Sequence, residues 1–207
     1  MGRLNLGVLA SGRGSNLQAI MDAAENGKLD AAVKVVISNN SNSFALDRAK
    51  SRGIAAFHLS RKQFETDEAF DEALLKVLGE HDVDLIILAG YMKMISSRVI
   101  QEYRNRILNI HPALLPAFGG KGMYGIRVHE AVIEAGAKFS GVTVHIVDEK
   151  YDHGPIVLQK VVPVLDEDTP ETLAARLLPE EHQLYPKAIQ LFAEGKIRVE
   201  GRRVLVT

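Results

Sequence analysis

Short apolar runs alternate with amphipathic stretches along the chain, and the alternation predicts a succession of strands and helices. Residues 4–10 (LNLGVLA) read as a strand. A loop follows, Ser11-Gly12-Arg13-Gly14-Ser15-Asn16, then a helix with Leu17, Ile20, Met21 and Ala24 on one face. Residues 33–38 (VKVVIS) are a buried-type strand, 43–52 a helix stopped by Gly53, and 54–59 (IAAFHL) a third strand. A long amphipathic helix is predicted over 66–80, with Phe70, Ala73, Leu74 and Val77 inward. The most apolar run, 85–89 (LIILA), reads as a central strand. A short helix over 97–103, a strand over 107–111 and a helix over 128–135 come next. The period of two in 141–147 (GVTVHIV), a polar break at 148–155 and the run 156–164 (IVLQKVVPV) predict a hairpin or a bent antiparallel pair. Thr169-Pro170 opens a helix that runs towards Leu178, where Pro179 restarts or kinks it. A further helix turns Leu184, Ala188 and Phe192 inward, and 197–206 closes as a hairpin turning at Glu200-Gly201-Arg202.

This order predicts the α/β class: a doubly wound, mostly parallel sheet with antiparallel strands added late in the chain. The expected organisation is one domain over 1–207, and 207 residues with 46% hydrophobic positions suffice for one core. A net charge of −1 gives no electrostatic case for nucleic acid as the main partner. Without cysteine there is neither a disulfide framework nor a thiolate nucleophile. The start, Met1-Gly2-Arg3-Leu4-Asn5, runs straight into the first strand with no secretory signal pattern, and no apolar run is long enough to span a bilayer. A cytoplasmic protein without membrane partners is expected.

Candidate chemistry centres on Leu108-Asn109-Ile110-His111-Pro112-Ala113-Leu114-Leu115-Pro116. In a strand, Asn109 and His111 share a face, and Pro112 ends the ladder, so the pair stands at a strand end, where open α/β sheets bind ligands. An amide donor beside an imidazole suits an oxyanion developing on a carbonyl oxygen, and the same pattern also fits a capped strand end with satisfied polar groups. The glycine loop is the opening of a phosphate-binding unit. Ser15 and Asn16 are candidates to cap its helix, and Leu17 stands where a dinucleotide fingerprint has its third glycine. A tight turn without ligand fits as well. Gly90-Tyr91-Met92-Lys93-Met94-Ile95 is oddly apolar for a loop and either lines a pocket or packs. Asp152, before His153-Gly154-Pro155, is a turn residue or a carboxylate that raises the pKa of His111. His129 and His145 read as structural. No metal-binding pattern is present.

The Asn109-x-His111-Pro112-Ala113-Leu114-Leu115-Pro116 motif and the Asp152 loop resemble the folate-dependent formyltransferases. The Gly12-x-Gly14-Ser15-Asn16 loop and the Glu181-His182-x-x-Tyr185-Pro186 segment are similar to those members that act on glycinamide ribonucleotide. The resemblance covers essentially the whole chain. It implies a Rossmann-like formyltransferase fold, with a phosphate-binding half over about 1–100 and a catalytic, folate-binding half over about 101–207. It also implies formyl transfer from 10-formyltetrahydrofolate, a co-substrate, to glycinamide ribonucleotide in purine synthesis, with no metal. Asn109, His111 and Asp152 would be catalytic. Gly14, Ser15, Asn16 and Glu181 would hold the ribonucleotide. Met92, Lys93, Met94, Ile95, Asn109 and Asp148 would contact the folate. The protein would act as a monomer or homodimer.

Formyltetrahydrofolate deformylases share these elements and are the alternative. They usually carry an added N-terminal domain, whereas the first strand here begins at about residue 4. The chain departs from the family pattern at His153, where Gly or Ala is common, at Asp67, and in an extended loop over 119–125.

Overall fold

The first strand, β1 (Leu4–Ala10), and β4 (Leu85–Leu88) are almost wholly aliphatic and buried on both faces, as interior strands of a parallel sheet must be. The computed structural model describes residues 3–207, so Met1 and Gly2, where the N-terminal reading begins, lie outside the described residues. The chain divides into two compact units, the first running to Leu108 and the second from Asn109.

In the first unit β1 is followed by α1 (Ser15–Glu25), β2 (Ala31–Ser38), α2 (Phe44–Ser51), β3 (Ala55–His58), α3 (Asp67–Glu80), β4 and α4 (Ser97–Glu102). Its strands lie in the order β3-β2-β1-β4, and every pair is parallel. β4 is interior, as expected: β1 flanks one side, and on the other the Ile86 amide donates to the Arg106 carbonyl. The helix starts follow side-chain caps, Ser43 for α2, Thr66 for α3 and Ser96 for α4. The buried face of α3 differs from the predicted one. Asp71, Leu74 and Leu78 are buried, whereas Phe70, Ala73 and Val77 are half-buried. The cause is packing: Leu78 and Val83 close over the backbone of β1 at Gly7, and Phe70 meets Phe64 edge-on with ring centroids 5.8 Å apart.

The second unit holds α5 (Ile126–Glu134), β6 (Phe139–Ile146), β7 (Ile156–Pro163), α6 (Pro170–Ala193), β8 (Ile197–Glu200) and β9 (Arg203–Val206). β5 (Ile107–His111) contains the boundary between the units. β6 and β7 pair antiparallel, β7 meets β9 in parallel at Ile156 and Arg203, and β8 and β9 form the expected closing hairpin. Parallel strands early and antiparallel strands late are the fold class that the sequence predicts. The period of two in β6 marks chemistry rather than exposure. Every residue from Ser140 to Ile146 is buried, one face carrying Thr143 and His145 and the other Val142, Val144 and Ile146.

Of the two expectations for Pro179, a restart is excluded, for α6 is one helix of 24 residues with Pro179 and Pro186 inside it. Each internal proline removes a backbone hydrogen bond at a cost of about 3 kcal/mol. Against this stand a Thr169–Thr172 capping box with Pro170 in the first turn, and a buried row of Leu173, Leu177, Leu184, Tyr185, Ala188 and Ile189. Each large apolar side chain so buried returns about 1.5–3 kcal/mol. Phe192 lies past the end of that row and is only half-buried.

Candidate active site

Asn109 and His111 stand on one face of β5, as their spacing requires, and the chain then folds back through residues 112–120. The return is held by the hydroxyl of Thr143 in β6, which is fully buried. It donates to the Ala113 carbonyl at 2.6 Å and accepts from the Leu115 amide at 3.1 Å and from Gln159 Nε2 at 3.0 Å. Gln159 also donates to the Leu115 carbonyl at 2.9 Å. Thr143→Val keeps the shape but leaves a buried amide and carbonyl short of partners. It is expected to lower unfolding stability by about 2–4 kcal/mol, measurable by denaturant titration; a loss below about 0.5 kcal/mol would exclude this anchoring role.

The fold brings the predicted trio together within the second unit. Asp152 Oδ1 lies 3.5 Å from Asn109 Nδ2 and 3.6 Å from His111 Nδ1. The other carboxylate oxygen, Oδ2, accepts the Gly120 amide at 2.9 Å. His111 is buried, and its Nε2 lies 2.8 Å from the Phe118 carbonyl oxygen. A carbonyl only accepts, so Nε2 carries the hydrogen and Nδ1 faces the carboxylate.

His145 joins this cluster, contrary to its reading as structural. Its Nε2 is 3.1 Å from Asn109 Nδ2 and 3.7 Å from Asp152 Oδ1. Its Nδ1 is 3.0 Å from the Ile146 carbonyl and therefore carries the hydrogen, so Nε2 accepts from Asn109 and fixes the direction of the amide. The signal available in the sequence was the polar face that His145 shares with Thr143.

Burial pushes the pKa of His111 down, Asp152 and the Phe118 carbonyl pull it up, and His145 adds to the lowering. Its net position is below the ordinary value. Asp152 thus acts on His111 in the expected direction, raising its pKa, and desolvation outweighs it. Burial pushes the Asp152 carboxyl up, but His145, the His111 ring and the Gly120 amide more than offset this and hold it below the usual carboxylate range. Asp148, the other acidic group of this loop, does not reach the trio. Its Oδ1 accepts the Lys150 amide and its Oδ2 lies 2.7 Å from His153 Nδ1. Glu181 is half-buried on α6.

The remaining predicted site residues lie in the first unit. Gly14 is the N-cap of α1 in a left-handed conformation, φ 70, and no side chain caps the helix there. Ser15 is therefore the first helical residue, and neither it nor Asn16 is the cap. Position 14 needs glycine twice over, for its φ and because a Cβ would lie 2.9 Å from Ala45 Cα. The loop is braced by α2: Ser43 Oγ and the Ala45 amide donate to the Gly12 carbonyl, and Arg48 Nε donates to that of Arg13. It is also tied to the second candidate segment. Ser11 Oγ accepts the Met92 amide at 2.8 Å, and the Ser11 amide donates to the Gly90 carbonyl at 3.1 Å. The two loops stand at the carboxyl ends of the adjacent parallel strands β1 and β4. Met92, Lys93 and Met94 are exposed and Ile95 is buried. Among the described residues, no helix is long and apolar enough to cross a membrane, and no group of three or more His, Asp or Glu residues could hold a metal ion.

Residues 4–189 match the formyl transferase family, and the chain belongs to that family. It is 45% identical over 195 residues to the chloroplastic phosphoribosylglycinamide formyltransferase of Vigna unguiculata, covering 94% of this chain and 62% of that protein. To the phosphoribosylglycinamide formyltransferase of Escherichia coli it is 38% identical over 196 residues, covering 95% of this chain and 90% of that one. The crystal structure of glycinamide ribonucleotide transformylase 1 from Symbiobacterium toebii superposes with a TM-score of 0.93 at 45% identity, over 100% of this chain and 95% of that one.

Proposed function

We propose that this protein transfers the formyl group of 10-formyltetrahydrofolate to the amino group of glycinamide ribonucleotide, a step of purine biosynthesis in the cytoplasm. The observation that carries the reading is the cluster of Asn109, His111 and Asp152 in a chain of this family. The whole chain is read as one formyltransferase domain, its phosphate-binding half reaching to about residue 100.

The amine of the ribonucleotide attacks the formyl carbon. A carbon–nitrogen bond forms, and the carbonyl electron pair moves onto oxygen. Asn109 and His111 stabilise that oxyanion, and the growing negative charge offsets the burial penalty that keeps the resting imidazole neutral. A single well-aimed oxyanion donor supplies about 3 kcal/mol. The attacking nitrogen must lose a proton, and the folate nitrogen must gain one as its bond to the formyl carbon breaks. Asp152, ionised at neutral pH, relays that proton through water. The direction of the Asn109 amide, set by His145, keeps the donor aligned for this step.

Gly14, Ser15 and Asn16 bind the ribonucleotide phosphate at the start of α1, where the helix dipole favours an anion and no side chain competes as cap. Glu181 contacts the ribonucleotide. Met92, Lys93, Met94 and Ile95 in the first unit contact the folate, as does Asn109 in the second, where Asp148 contributes by shaping its loop rather than by a free carboxylate. Binding energy from the phosphate, far from the reacting atoms, orients the amine.

The test is a spectroscopic assay of 10-formyltetrahydrofolate consumption with and without glycinamide ribonucleotide. Consumption that requires the ribonucleotide is expected. Equal consumption without it would make the protein a deformylase and overturn the reading.

A further inference from the structure

The loop that carries Asp152 is fastened to the C-terminal hairpin by two side chains outside the trio. Residues 147–155 join β6 to β7, and within them Asp152 adopts φ 51, a left-handed conformation that a non-glycine residue keeps only when its surroundings impose it. Gly154 makes the return tight: a Cβ there would lie 1.9 Å from the Ile146 carbonyl oxygen. Asp148 stitches the loop from within, and because its carboxylate only accepts, His153 Nδ1 carries the hydrogen between them.

Arg202 grips the loop from outside. Its Nη2 donates to the His153 carbonyl at 2.8 Å. Its Nη1 lies 2.6 Å from His153 Nε2 and 3.0 Å from Nδ1, so the guanidinium rests against the imidazole ring. Sheet register delivers the arginine to this place. β9 meets β7 at Arg203 and Ile156, so the β8–β9 turn arrives beside the loop, and Arg202 is the turn residue immediately before that pair.

We propose that Arg202 and His153 are positioning residues for formyl transfer: a clamp from the C-terminal hairpin that holds Asp152 in its left-handed conformation, with its carboxylate toward Asn109 and His111. His153 directly follows Asp152, and Arg202 bonds the loop at His153. Exposed polar pairs of this kind add little stability, because solvent screens them and long side chains lose entropy in forming them. Their convergence on one carbonyl and one ring supplies geometry instead. A catalytic group displaced by about 1 Å can lose about a hundred-fold in rate. A small effect on stability with a large effect on turnover is therefore the signature of the clamp.

The activity arm of the test rests on the formyl-transfer reading. Arg202→Gln and Arg202→Lys are compared with the parent chain by steady-state kinetics, thermal unfolding and hydrogen exchange over residues 148–154. Arg202→Gln is expected to lower kcat about ten-fold or more, with KM for glycinamide ribonucleotide and the thermal midpoint nearly unchanged, and to speed exchange in the loop. Arg202→Lys, which still reaches a carbonyl, recovers part of kcat. Parent-like exchange in Arg202→Gln overturns the proposal whatever the rate. A kcat loss that tracks a fall in the midpoint and is not recovered by lysine also overturns it, for that marks a structural role. A parent chain that transfers no formyl group defeats the functional reading instead, and the exchange data alone then decide the clamp.

Discussion

Asp152→Asn is expected to lower turnover of glycinamide ribonucleotide by about two to three orders of magnitude, with the affinity for the ribonucleotide little changed. The asparagine can still accept the Gly120 amide that now binds Oδ2, so the loop keeps one anchor. It cannot carry a proton between the two nitrogens. It also removes the charge that opposes the burial penalty on His111, so the imidazolium becomes harder to form when the oxyanion needs it. The ionised carboxylate has a folded-state pKa below its ordinary 3.8, so its stabilising contribution is present above that value and lost as pH falls through the folded value. The variant should therefore lose stability relative to the parent only at pH values where the parent carboxylate is ionised. Turnover within about three-fold of the parent in single-turnover assays would remove Asp152 from the proton route.

His111→Ala is expected to cost about a hundred-fold or more in kcat, the magnitude of a lost oxyanion donor in a water-poor site. Added imidazole, which refills the space next to Phe118, should restore part of the rate. The variant also makes a pH prediction whose sign follows from burial. His111 is held below its ordinary 6.5, so folding favours the neutral ring. The parent keeps this contribution above pH 6.5 and loses it as pH falls through the folded value. Without the ring, stability should decline less steeply on acidification. The remaining slope belongs in part to His129, which burial also holds low. An unchanged acid slope would contradict the account of His111 as a buried imidazole. A kcat near that of the parent would remove it from oxyanion stabilisation.

Much of the fold was legible because its signals are local. Caps at Ser43, Thr66 and Thr169, the stop at Gly53 and the aliphatic runs of β1 and β4 each specify an element from a few neighbouring residues. The features that differed depend on packing between distant segments. Helix α6 passes through Pro179 because its buried row outweighs two missing hydrogen bonds, and α3 is turned toward Leu78 by its contact over Gly7. At the site, the shared face of Asn109 and His111 follows from strand geometry. The approach of Asp152 to them depends on the folding back of residues 112–120 and on the β6–β7 loop, which no spacing encodes. His145 was missed because its partner, Asn109, lies on another strand. The net pKa of His111 was not legible because burial is invisible in a motif, whereas a neighbouring carboxylate is not.

The central claim is that the formyl group moves intact from the folate to an amine held beside Asn109, His111 and Asp152. The most direct measurement follows a carbon-13 label in the formyl group by NMR, with both substrates present and the parent chain as catalyst. The result expected is one labelled formamide on the ribonucleotide for each folate released, with no labelled formate. Label appearing as formate, with the ribonucleotide unmodified, would contradict it.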